Sequence, residues 1–392
     1  MGRTLGLELH NFIEGIKTHN QSYSKQAYSK ARMKLRHEGY ISLNDILLEE
    51  YYQRDYRTYK GHRLLGVDGS KIELPHGDLI EQEFGKINHD SSAINGAKAI
   101  VVYDLLNELL IDSELSKYNV SERAIALEQF ERIKVSGKQM KDIVIADRGF
   151  PSLEVFVKLM ELGYDFLIRY TGQQFLKETL PLVESSESEL EIEISLTEGY
   201  ARQNNLAIKK LLEEGAPEKI KLRIVKIELS DGKSEYLITS LLSRDEHKID
   251  DFNYLYNLRW NEEVFFNFQK NVVEIEKFSG KTVESIKQDY YSRIFVGSLH
   301  ALIIEDAQAE IDTEISRDEK LKYSQYKINK TMSFGLLRGS LEELITAKNW
   351  HKKYNELVTK IKKHKVPVRN GRTFERLKKG NLKYPNNVRR AI

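Results

Sequence analysis

The chain has 392 residues, of which 31% are charged and 40% hydrophobic, and its 61 basic and 59 acidic side chains give a net charge of +2. This length favours two or three domains, and the composition is typical of a soluble globular protein. The absence of cysteine excludes disulfides and thiolate metal sites and agrees with a cytoplasmic location, and no apolar run reaches the roughly 18 residues of a membrane span.

A basic segment without any acidic residue lies near the start of the chain, at residues 17–37. Ser24 is a predicted N-cap, and Ala27, Ala31 and Leu35 repeat every four residues, which predicts a helix with a narrow apolar stripe. A solvated helix and a small helical DNA-binding domain both explain this pattern, and the charge run alone favours the solvated helix. The basic side chains around the stripe include Lys30, Arg32 and Lys34.

The middle of the chain alternates between strand and helix patterns, as expected of a mixed α/β core. Residues 63–75, RLLGVDGSKIELP, are predicted as two strands separated by a turn at Asp68-Gly69. Residues 97–115 are predicted as a strand pair hinged between Asp104 and Glu108. The next predicted elements are a helix over 121–134 and a strand, a helix and a second strand within 141–170.

A change of pattern marks residues 172–245, which we interpret as a β-rich insertion rather than as more of the core. Residues 180–200 contain six glutamates and no basic side chain. A hairpin is predicted across Asp231-Gly232. From residue 248 to about 365 the pattern is strongly helical.

The end of the chain is strongly basic. Residues 351–392 contain fourteen Lys or Arg against Glu356 and Glu375, a net charge of about +12. A solubilising tail would explain this excess, but the second acid-free basic segment near the N-terminus favours contact with nucleic acid. The basic side chains here include Arg372, Lys378 and Lys379.

Three aspartates follow apolar strand patterns and are candidates for chemistry. Asp68 follows residues 64–67, Asp147 follows 143–146, and Asp104 ends a similar run. Burying a carboxylate at such a place is costly unless it binds a metal ion or accepts hydrogen bonds. Turn and capping roles explain strand-end aspartates equally well. The local pattern therefore does not separate these three residues.

A further group of polar residues lies in the predicted helix at 256–270, YNLRWNEEVFFNFQK. At about 100° per residue, one arc of about 60° includes Tyr256, Arg259, Glu263 and Lys270, whereas Glu262 points to its side. Phe265, Phe266 and Phe268 are predicted to pack the helix onto the core. Helical phase alone fits a functional site and a solvent-exposed face equally, because Arg259 and Glu263 also form an ordinary i,i+4 pair.

The spacing Tyr-x2-Arg-x3-Glu-x6-Lys at 256–270 resembles the signature of DDE transposases of bacterial insertion sequences. Two upstream segments, GVDGSKIELP at 66–75 and IVIADRGF at 143–150, are similar to the first and second aspartate motifs of that family and come in the same order. YLITSLLS at 236–243 and VRNGRTFERLKK at 368–379 are similar to its flanking segments. The resemblance therefore extends from about residue 25 to 385.

Two positions depart mildly from the family pattern. Gly149 stands where many relatives have another residue, and the acidic run at 184–198 is unusual for an insertion that faces DNA. The acidic run suggests that part of the insertion faces solvent or a basic partner surface.

The resemblance implies an α/β fold with a ribonuclease H-like core, a β-rich insertion, an N-terminal helical domain and a C-terminal helical region. It implies that Asp68, Asp147 and Glu263 are the catalytic acids and metal ligands, and that Asp104 is not. It also implies that Tyr256, Arg259 and Lys270 contact DNA phosphates. The expected segments are a helical DNA-binding domain at 1–58, the first part of the core at 59–171, the insertion at 172–245, the second part of the core at 246–300, and the C-terminal region at 301–392.

The implied chemistry suits these residue types. Three carboxylates at close range repel one another unless they bind cations, and carboxylate oxygens prefer hard ions such as Mg²⁺, with Mn²⁺ as an alternative. Two such ions would activate the attacking oxygen and stabilise the leaving oxygen of a phosphodiester. Arg259 and Lys270 would hold phosphate through charge-assisted hydrogen bonds.

The sequence therefore predicts a cut-and-paste transposase. The expected partners are the double-stranded ends of its mobile element, target DNA and a second copy of the chain in a homodimer, with a nucleoid-associated cytoplasmic location. A non-catalytic DNA-binding inhibitor or domesticated relative is one alternative, and a metal-dependent nuclease without strand transfer is another.

Overall fold

The computed structural model describes most of the chain between Ser24 and residue 368. The predicted DNA contacts Arg372, Lys378 and Lys379 lie outside the described residues, as do the hairpin turn at Asp231-Gly232 and the side chain of Glu263. The described residues are 9, 10, 13, 24–89, 92–136, 140–171, 180–182, 184, 187–197, 206–228, 234–317, 323 and 325–368, with the backbone alone at 88, 89, 92, 135, 136 and 260–263.

The chain divides into two compact units. A sheet unit consists of Asn44–Phe268 with Lys281–Val283. A helical unit consists of Met1–Leu43, Gln269–Gly280 and Glu284–Ile392. The chain passes from one unit to the other at Phe268, so the predicted motif at 256–270 belongs to both.

The sheet unit contains nine described strands in one mixed sheet. The strands are β1 (Arg63–Glu73), β2 (Lys86–His89), β3 (Ser92–Asp104), β4 (Leu109–Lys117), β5 (Asp142–Ala146), β6 (Asp165–Tyr170), β7 (Glu189–Ser195), β8 (Lys219–Glu228) and β9 (Ser234–Thr239). The helices of this part of the chain are α2 (Glu38–Tyr51, which begins in the helical unit), α3 (Asp78–Phe84), α4 (Glu122–Ser136), α5 (Leu153–Glu161), α6 (Leu206–Glu213), α7 (Ile249–Leu258) and α8 (Trp260–Phe268).

Strand pairing places β1 and β5 next to each other at the centre of the sheet. The order is β2-β3-β1-β5-β6-β9-β8-β7, with β4 also paired to β3. Pairing is antiparallel from β4 through β3 to β1 and parallel from β1 through β5 to β6. The central strands β5 and β6 are almost wholly buried, as expected for strands covered on both faces. The predicted α/β class is confirmed.

One expectation about this sheet is wrong. Residues predicted as two strands around a turn at Asp68-Gly69 form the single strand β1, which pairs with β3 from Leu65 to Glu73. An Asp-Gly pair favours a turn when it is considered alone. Here an unbroken antiparallel ladder with β3 satisfies the backbone groups on one side of β1, which keeps the strand extended.

The three strands of the predicted insertion continue the same sheet. β9 pairs antiparallel with β6, and β8 and β7 follow outward. The buried side chain of Arg223 on β8 donates a hydrogen bond to Glu189 and, at 2.9 Å, to the backbone oxygen of His247. Its guanidinium carbon also lies 4.9 Å from the ring centre of Phe252 on α7. The outer strands thereby fix the start of the helix that leads to the predicted site.

The helical unit contains the N-terminal helix α1 (Lys25–Arg32). The predicted cap is confirmed, since the Ser24 hydroxyl accepts a hydrogen bond from Ala27 N at 3.1 Å. Lys30 and Lys34 are exposed. The other described elements of the unit are a π-helical turn (Gln269–Val273), α9 (Val283–Arg317, whose first residue belongs to the sheet unit), α10 (Lys330–Thr346), α11 (Trp350–Lys362) and the two-stranded ladder of β10 (Tyr326–Ile328) and β11 (Lys365–Pro367).

The core of the helical unit forms where three long helices meet. One buried apolar cluster brings together α9, α10, α11 and β10. The members of the cluster are Ile303, Ala307, Ile311, Ile328, Leu337, Leu357, Val358 and Ile361.

Along the part of the chain that the structure describes, no helix is both long enough and apolar enough to cross a membrane.

Candidate active site

Two of the predicted acids lie side by side, Asp68 within β1 and Asp147 just after the end of β5. β1 and β5 are parallel, and Val67 pairs with Ala146 at the end of β5. Asp68 and Asp147 are the next residue of each chain segment, and successive residues of a strand alternate between faces. Both aspartates therefore project from the same face of the sheet, the one opposite to Val67 and Ala146.

Asp147 lies against a tyrosine and an arginine. The Tyr256 hydroxyl donates a long hydrogen bond to Asp147 Oδ1 at 3.4 Å. Arg169 Nη1, from β6, lies 3.7 Å from the same oxygen and also forms an ion pair with Glu235. The sequence reasoning missed Arg169. The only signal was a basic residue inside the apolar strand pattern FLIRY.

Asp68 is in an unfavourable environment for a negative charge. Burial raises the pKa of its carboxyl to about 6, although a hydrogen bond from Gly69 N at 2.8 Å and the positive charge of Arg259 act in the opposite direction. The negative charges of Glu122 and Asp147 raise this pKa further. Burial is the main cause of the shift, and a cation bound to Asp68 would stabilise the carboxylate charge that burial disfavours.

Glu122 is a fourth acid near the pair, and the sequence reasoning missed it as well. It begins α4 and forms an ion pair with Lys98 at 3.2 Å. A Cβ atom at position 69 would lie 2.8 Å from the carboxyl carbon of Glu122. Gly69 thus leaves room for the Glu122 carboxylate beside β1, one residue after Asp68.

Tyr256 and Arg259, predicted to contact DNA, line this group of carboxylates. Both are buried, with exposed fractions of 5% and 7%. Burial raises the pKa of the Tyr256 hydroxyl to about 12, so at neutral pH it stays a hydrogen-bond donor. The Arg259 guanidinium carbon lies 5.5 Å from the centre of the Tyr256 ring. In this conformation both side chains face the carboxylates.

The segment that contains the third predicted acid is less regular than the sequence suggested. α7 ends at Leu258, Arg259 lies between the two helices with helical dihedral angles of −54° and −30°, and α8 begins at Trp260. The backbone of Glu263 is in α8, and its side chain lies outside the described residues. Its role as a third ligand remains a prediction.

α8 lies over the face of the sheet from which the aspartates project. The ring of Phe265 is 4.5 Å from that of Tyr103, centre to centre. Tyr103 pairs with Gly66, two residues before Asp68, so it shares the face of Asp68. Phe266 is also buried, and the predicted packing of these two phenylalanines is confirmed.

Lys270, the last residue of the motif, lies in the π-helical turn of the helical unit and forms an ion pair with Glu276 at 3.3 Å. A regular α-helix was predicted from Tyr256 to Lys270. Arg259 keeps helical dihedral angles, but the wider π-helical turn that begins at Gln269 changes the angular position of Lys270, so the prediction of a regular α-helix is wrong for this last residue.

Asp104, the third strand-end aspartate, has a structural role. It is fully buried and accepts hydrogen bonds from the Tyr52 hydroxyl at 2.7 Å and from the backbone nitrogens of Leu106 and Asn107. Burial raises the pKa of its carboxyl, while the hydrogen bonds from Tyr52 and Asn107 lower it. Asp104 thus organises the turn between β3 and β4, away from Asp68 and Asp147 along β3.

Arg32, predicted to contact DNA, makes many contacts inside the helical unit. Its guanidinium donates hydrogen bonds to Gln288 Oε1 at 2.7 Å, to the backbone oxygen of Ser285 at 3.0 Å and to Asp289 at 2.9 Å. These contacts hold α1 against the first turns of α9. Contact with DNA through Arg32 would compete with them.

Paired carboxylates beneath a helix on a mixed sheet form the kind of site that binds hard divalent cations. Residues 59–296, more than half of the chain, match the family described as Transposase DDE domain, and the chain belongs to this family. The matched segment includes all six residues of the predicted catalytic and phosphate-binding set. The predicted membership among DDE transposases is confirmed, and members of this group use divalent metal ions.

A comparison with solved structures finds matches to transposases at low identity. The chain is similar to a piggyBac transposase synaptic complex with hairpin DNA, at 9% identity and a TM-score of 0.42, over 76% of this chain and 57% of that one. It is also similar to the Mos1 mariner paired end complex with Mn, at 15% identity and a TM-score of 0.20, over 42% of this chain and 59% of that one. The chain thus spans less than two thirds of either structure. No curated protein matches it in sequence.

Proposed function

We propose that this chain is a transposase that binds the ends of its mobile element, cleaves DNA strands there and transfers them to target DNA. The observation that supports this most is the position of Asp68 and Asp147. Asp68 lies in β1 and Asp147 directly follows the adjacent strand β5, on the face that α8 covers and inside the segment that matches the transposase family. α8 also contains the backbone of Glu263, the third expected acid.

We further propose that the sheet unit contains a ribonuclease H-like core of the type found in transposases of bacterial insertion sequences. Supporting this is the strand order β4-β3-β1-β5-β6, with the first three strands antiparallel and the last three parallel. The strands β7 to β9 would then be the insertion between that core and the glutamate helix.

Asp68, Asp147 and Glu263 would hold two divalent ions, Mg²⁺ or Mn²⁺. The donors fit such ions, because hard cations prefer carboxylate oxygens, and burial, which is the main cause of the raised pKa of Asp68, disfavours a carboxylate charge that a bound cation would stabilise. When bound, the ions would supply an activated oxygen nucleophile and stabilisation of the leaving oxygen.

The residues of the chain would orient these ligands. Tyr256 and Arg169 approach Asp147 from α7 and β6, and Arg259 offsets part of the charge of Asp68. Because the tyrosine stays protonated at neutral pH, it can donate a hydrogen bond either to Asp147 or to a phosphate oxygen. Tyr256 and Arg259 could therefore hold the carboxylates before DNA binds and contact a phosphate afterwards.

The remaining DNA contacts belong to the helical unit and to the tail. We assign Arg32 to positioning α1, because its guanidinium is already bonded within the unit. A homodimer on paired ends and a nucleoid-associated location in the cytoplasm belong to the same proposal. The proposed phosphate contacts are Tyr256, Arg259, Lys270, Lys30, Lys34, Arg372, Lys378 and Lys379.

The test compares Asp147→Ala and Glu263→Gln with Glu262→Gln as the matched control. Duplexes covering the ends of the element would be incubated with each protein and Mg²⁺, and strand cleavage and joining would be measured. Loss of one metal ligand should lower the cleavage rate at least about 100-fold, whereas the control substitution Glu262→Gln should change it only a few-fold. Unchanged cleavage in either test variant refutes the assignment.

The same assay distinguishes the alternative functions. If the wild-type protein binds end DNA without cleaving it at any metal concentration, the chain is a non-catalytic binding protein. Cleavage without any joined product indicates a nuclease that does not transfer strands. Cleavage followed by joining of the same ends supports the transposase.

A further inference from the structure

The outer face of α11, in the helical unit, has a row of lysines. Leu357, Val358 and Ile361 are buried in the core cluster with α9 and α10. With Lys352 at 0° and about 100° per residue, Lys363 lies at about 20° and Lys360 at about 80°, whereas Ile361 lies at about 180°. All three lysines are exposed, with Lys352 and Lys363 opposite to the core and Lys360 at the side. They are named here the lysine face: Lys352, Lys360 and Lys363.

Two other lysines of the same helix are neutralised by acids. Lys353 lies 3.0 Å from Glu343 and 3.5 Å from Glu356. Lys362 lies 2.7 Å from Glu310 and also pairs with Glu314. Neither lysine therefore offers an uncompensated charge to a partner.

The lysine face has no such compensation. Among the residues that the structure describes, no carboxylate lies within ion-pair distance of Lys352, Lys360 or Lys363. Glu356 lies between them on the helix surface, but its carboxylate pairs with Lys353. The helix therefore separates its lysines into a paired set that contacts α9 and α10 and an unpaired set that faces outward.

The length of this row fits a nucleic-acid backbone. Lys363 directly follows the last residue of α11 and keeps helical dihedral angles, so the rise from Lys352 to Lys363 is about 16 Å, at about 1.5 Å per residue. Along a duplex axis that distance includes about five phosphates of one strand, at about 3.4 Å each. After β11 the chain continues into residues 369–392, which contain eight more basic residues and one acid, so positive charge continues in the sequence beyond this face.

We propose that the lysine face of α11 binds the phosphate backbone of duplex DNA without regard to sequence. This inference rests on the proposed function, which makes DNA the substrate. It adds a surface in the folded C-terminal region that lies outside the segment matched by the transposase family. Its role would be to hold DNA flanking the cleavage site, because it can read charge but not base edges.

The experiment compares two double variants of equal charge change. Lys352→Gln with Lys360→Gln removes two lysines of the proposed surface, and Lys353→Gln with Lys362→Gln removes the two paired lysines. Glutamine has a helix propensity close to that of lysine, so the helix itself should persist. Binding to a labelled end duplex and to a random duplex would be measured by fluorescence anisotropy between 50 and 300 mM salt, with circular dichroism as the check on folding.

The two double variants should differ in their salt dependence. The logarithm of the association constant falls with the logarithm of the salt concentration, and each lost phosphate contact makes this slope less steep by about 0.9. The slope of the test variant should therefore be less steep by about 1.8, and its binding at 0.15 M salt about 10- to 30-fold weaker. The control should keep the wild-type slope. Adding Lys363→Gln to the test variant should lower the slope once more, and both duplexes should be affected equally.

Two results would overturn the inference. A test variant with the wild-type slope shows that this face does not contact DNA, even if the protein cleaves DNA normally. A control variant with the same loss as the test variant shows that net charge, not this face, determines binding. If the wild-type protein binds neither duplex, the inference and the proposed function both fail, whereas wild-type binding with an unchanged test slope removes the inference alone.

Discussion

Replacing Asp68 by asparagine should stabilise the metal-free protein at neutral pH while abolishing strand cleavage. Burial raises the pKa of this carboxyl from its ordinary value of 3.8 to about 6. The folded protein therefore holds a proton on Asp68 in a pH range where the unfolded chain has released it. In this range stability falls as the pH rises. Asparagine keeps an oxygen that can accept the hydrogen bond from Gly69 N and removes the buried charge.

The magnitude follows from the shift of the pKa. A difference of about two units corresponds to about 3 kcal/mol of unfolding free energy once the pH is above both values. Asp68 is only partly buried, so screening by solvent reduces the effect to roughly half of that. We expect the variant and the wild type to be nearly equal at pH 4 and to differ by about 1.5–3 kcal/mol at pH 7.5.

The assay is urea unfolding in the presence of EDTA, followed by circular dichroism at both pH values. A second series would add Mg²⁺ or Mn²⁺, which should stabilise the wild type more than Asp68→Asn, because ions that bind the folded state stabilise it. The reasoning is refuted if the variant is no more stable than the wild type at pH 7.5, or if the difference between them is independent of pH.

Two further predictions concern stability in other parts of the fold. His300 lies 2.8 Å from the Ser333 hydroxyl, and burial lowers the pKa of its imidazole to about 3. Between pH 7 and pH 5 the unfolded chain therefore takes up a proton that the folded protein excludes. This should lower the free energy of unfolding by about 2 kcal/mol. In urea unfolding, His300→Gln should lose about 2 kcal/mol less stability than the wild type between pH 7 and pH 5. An unchanged pH dependence would show that His300 is not its cause. Gly96→Ala should destabilise by about 1–3 kcal/mol, because its new Cβ would overlap the buried side chain of Ile87. A double-mutant cycle with Ile87→Ala should remove most of this cost, whereas an equal cost in both backgrounds would exclude steric overlap as the cause.

Local patterns in the sequence were sufficient for several elements of the fold. The apolar run before Asp147 predicted a buried strand, and β5 ends one residue before that aspartate. The cap at Ser24 and the hinge between Asp104 and Glu108 were also correct. Each of these depends on residues that are close in the chain, such as a hydroxyl three residues before the amide that it caps.

Other features depend on groups that are distant in the sequence. Asp68, Asp104 and Asp147 have similar local patterns. Asp104 is distinguished by its hydrogen bond from Tyr52, and the other two by the parallel pairing of β1 with β5. The same holds for Arg169, whose closeness to Asp147 depends on the order of β5 and β6. Local propensity contains no information about such neighbours.

The sequence by itself determined the strand-end aspartates, the helix after residue 248 and, through motif order, the transposase family. The tertiary structure decided that Asp68 and Asp147 share one face, that Arg32 is bonded inside the helical unit, and that the regular helix assumed up to Lys270 is interrupted. The physical reason is that charge compensation, strand register and burial arise from packing between segments far apart in the chain, whereas periodicity and capping arise within a few residues.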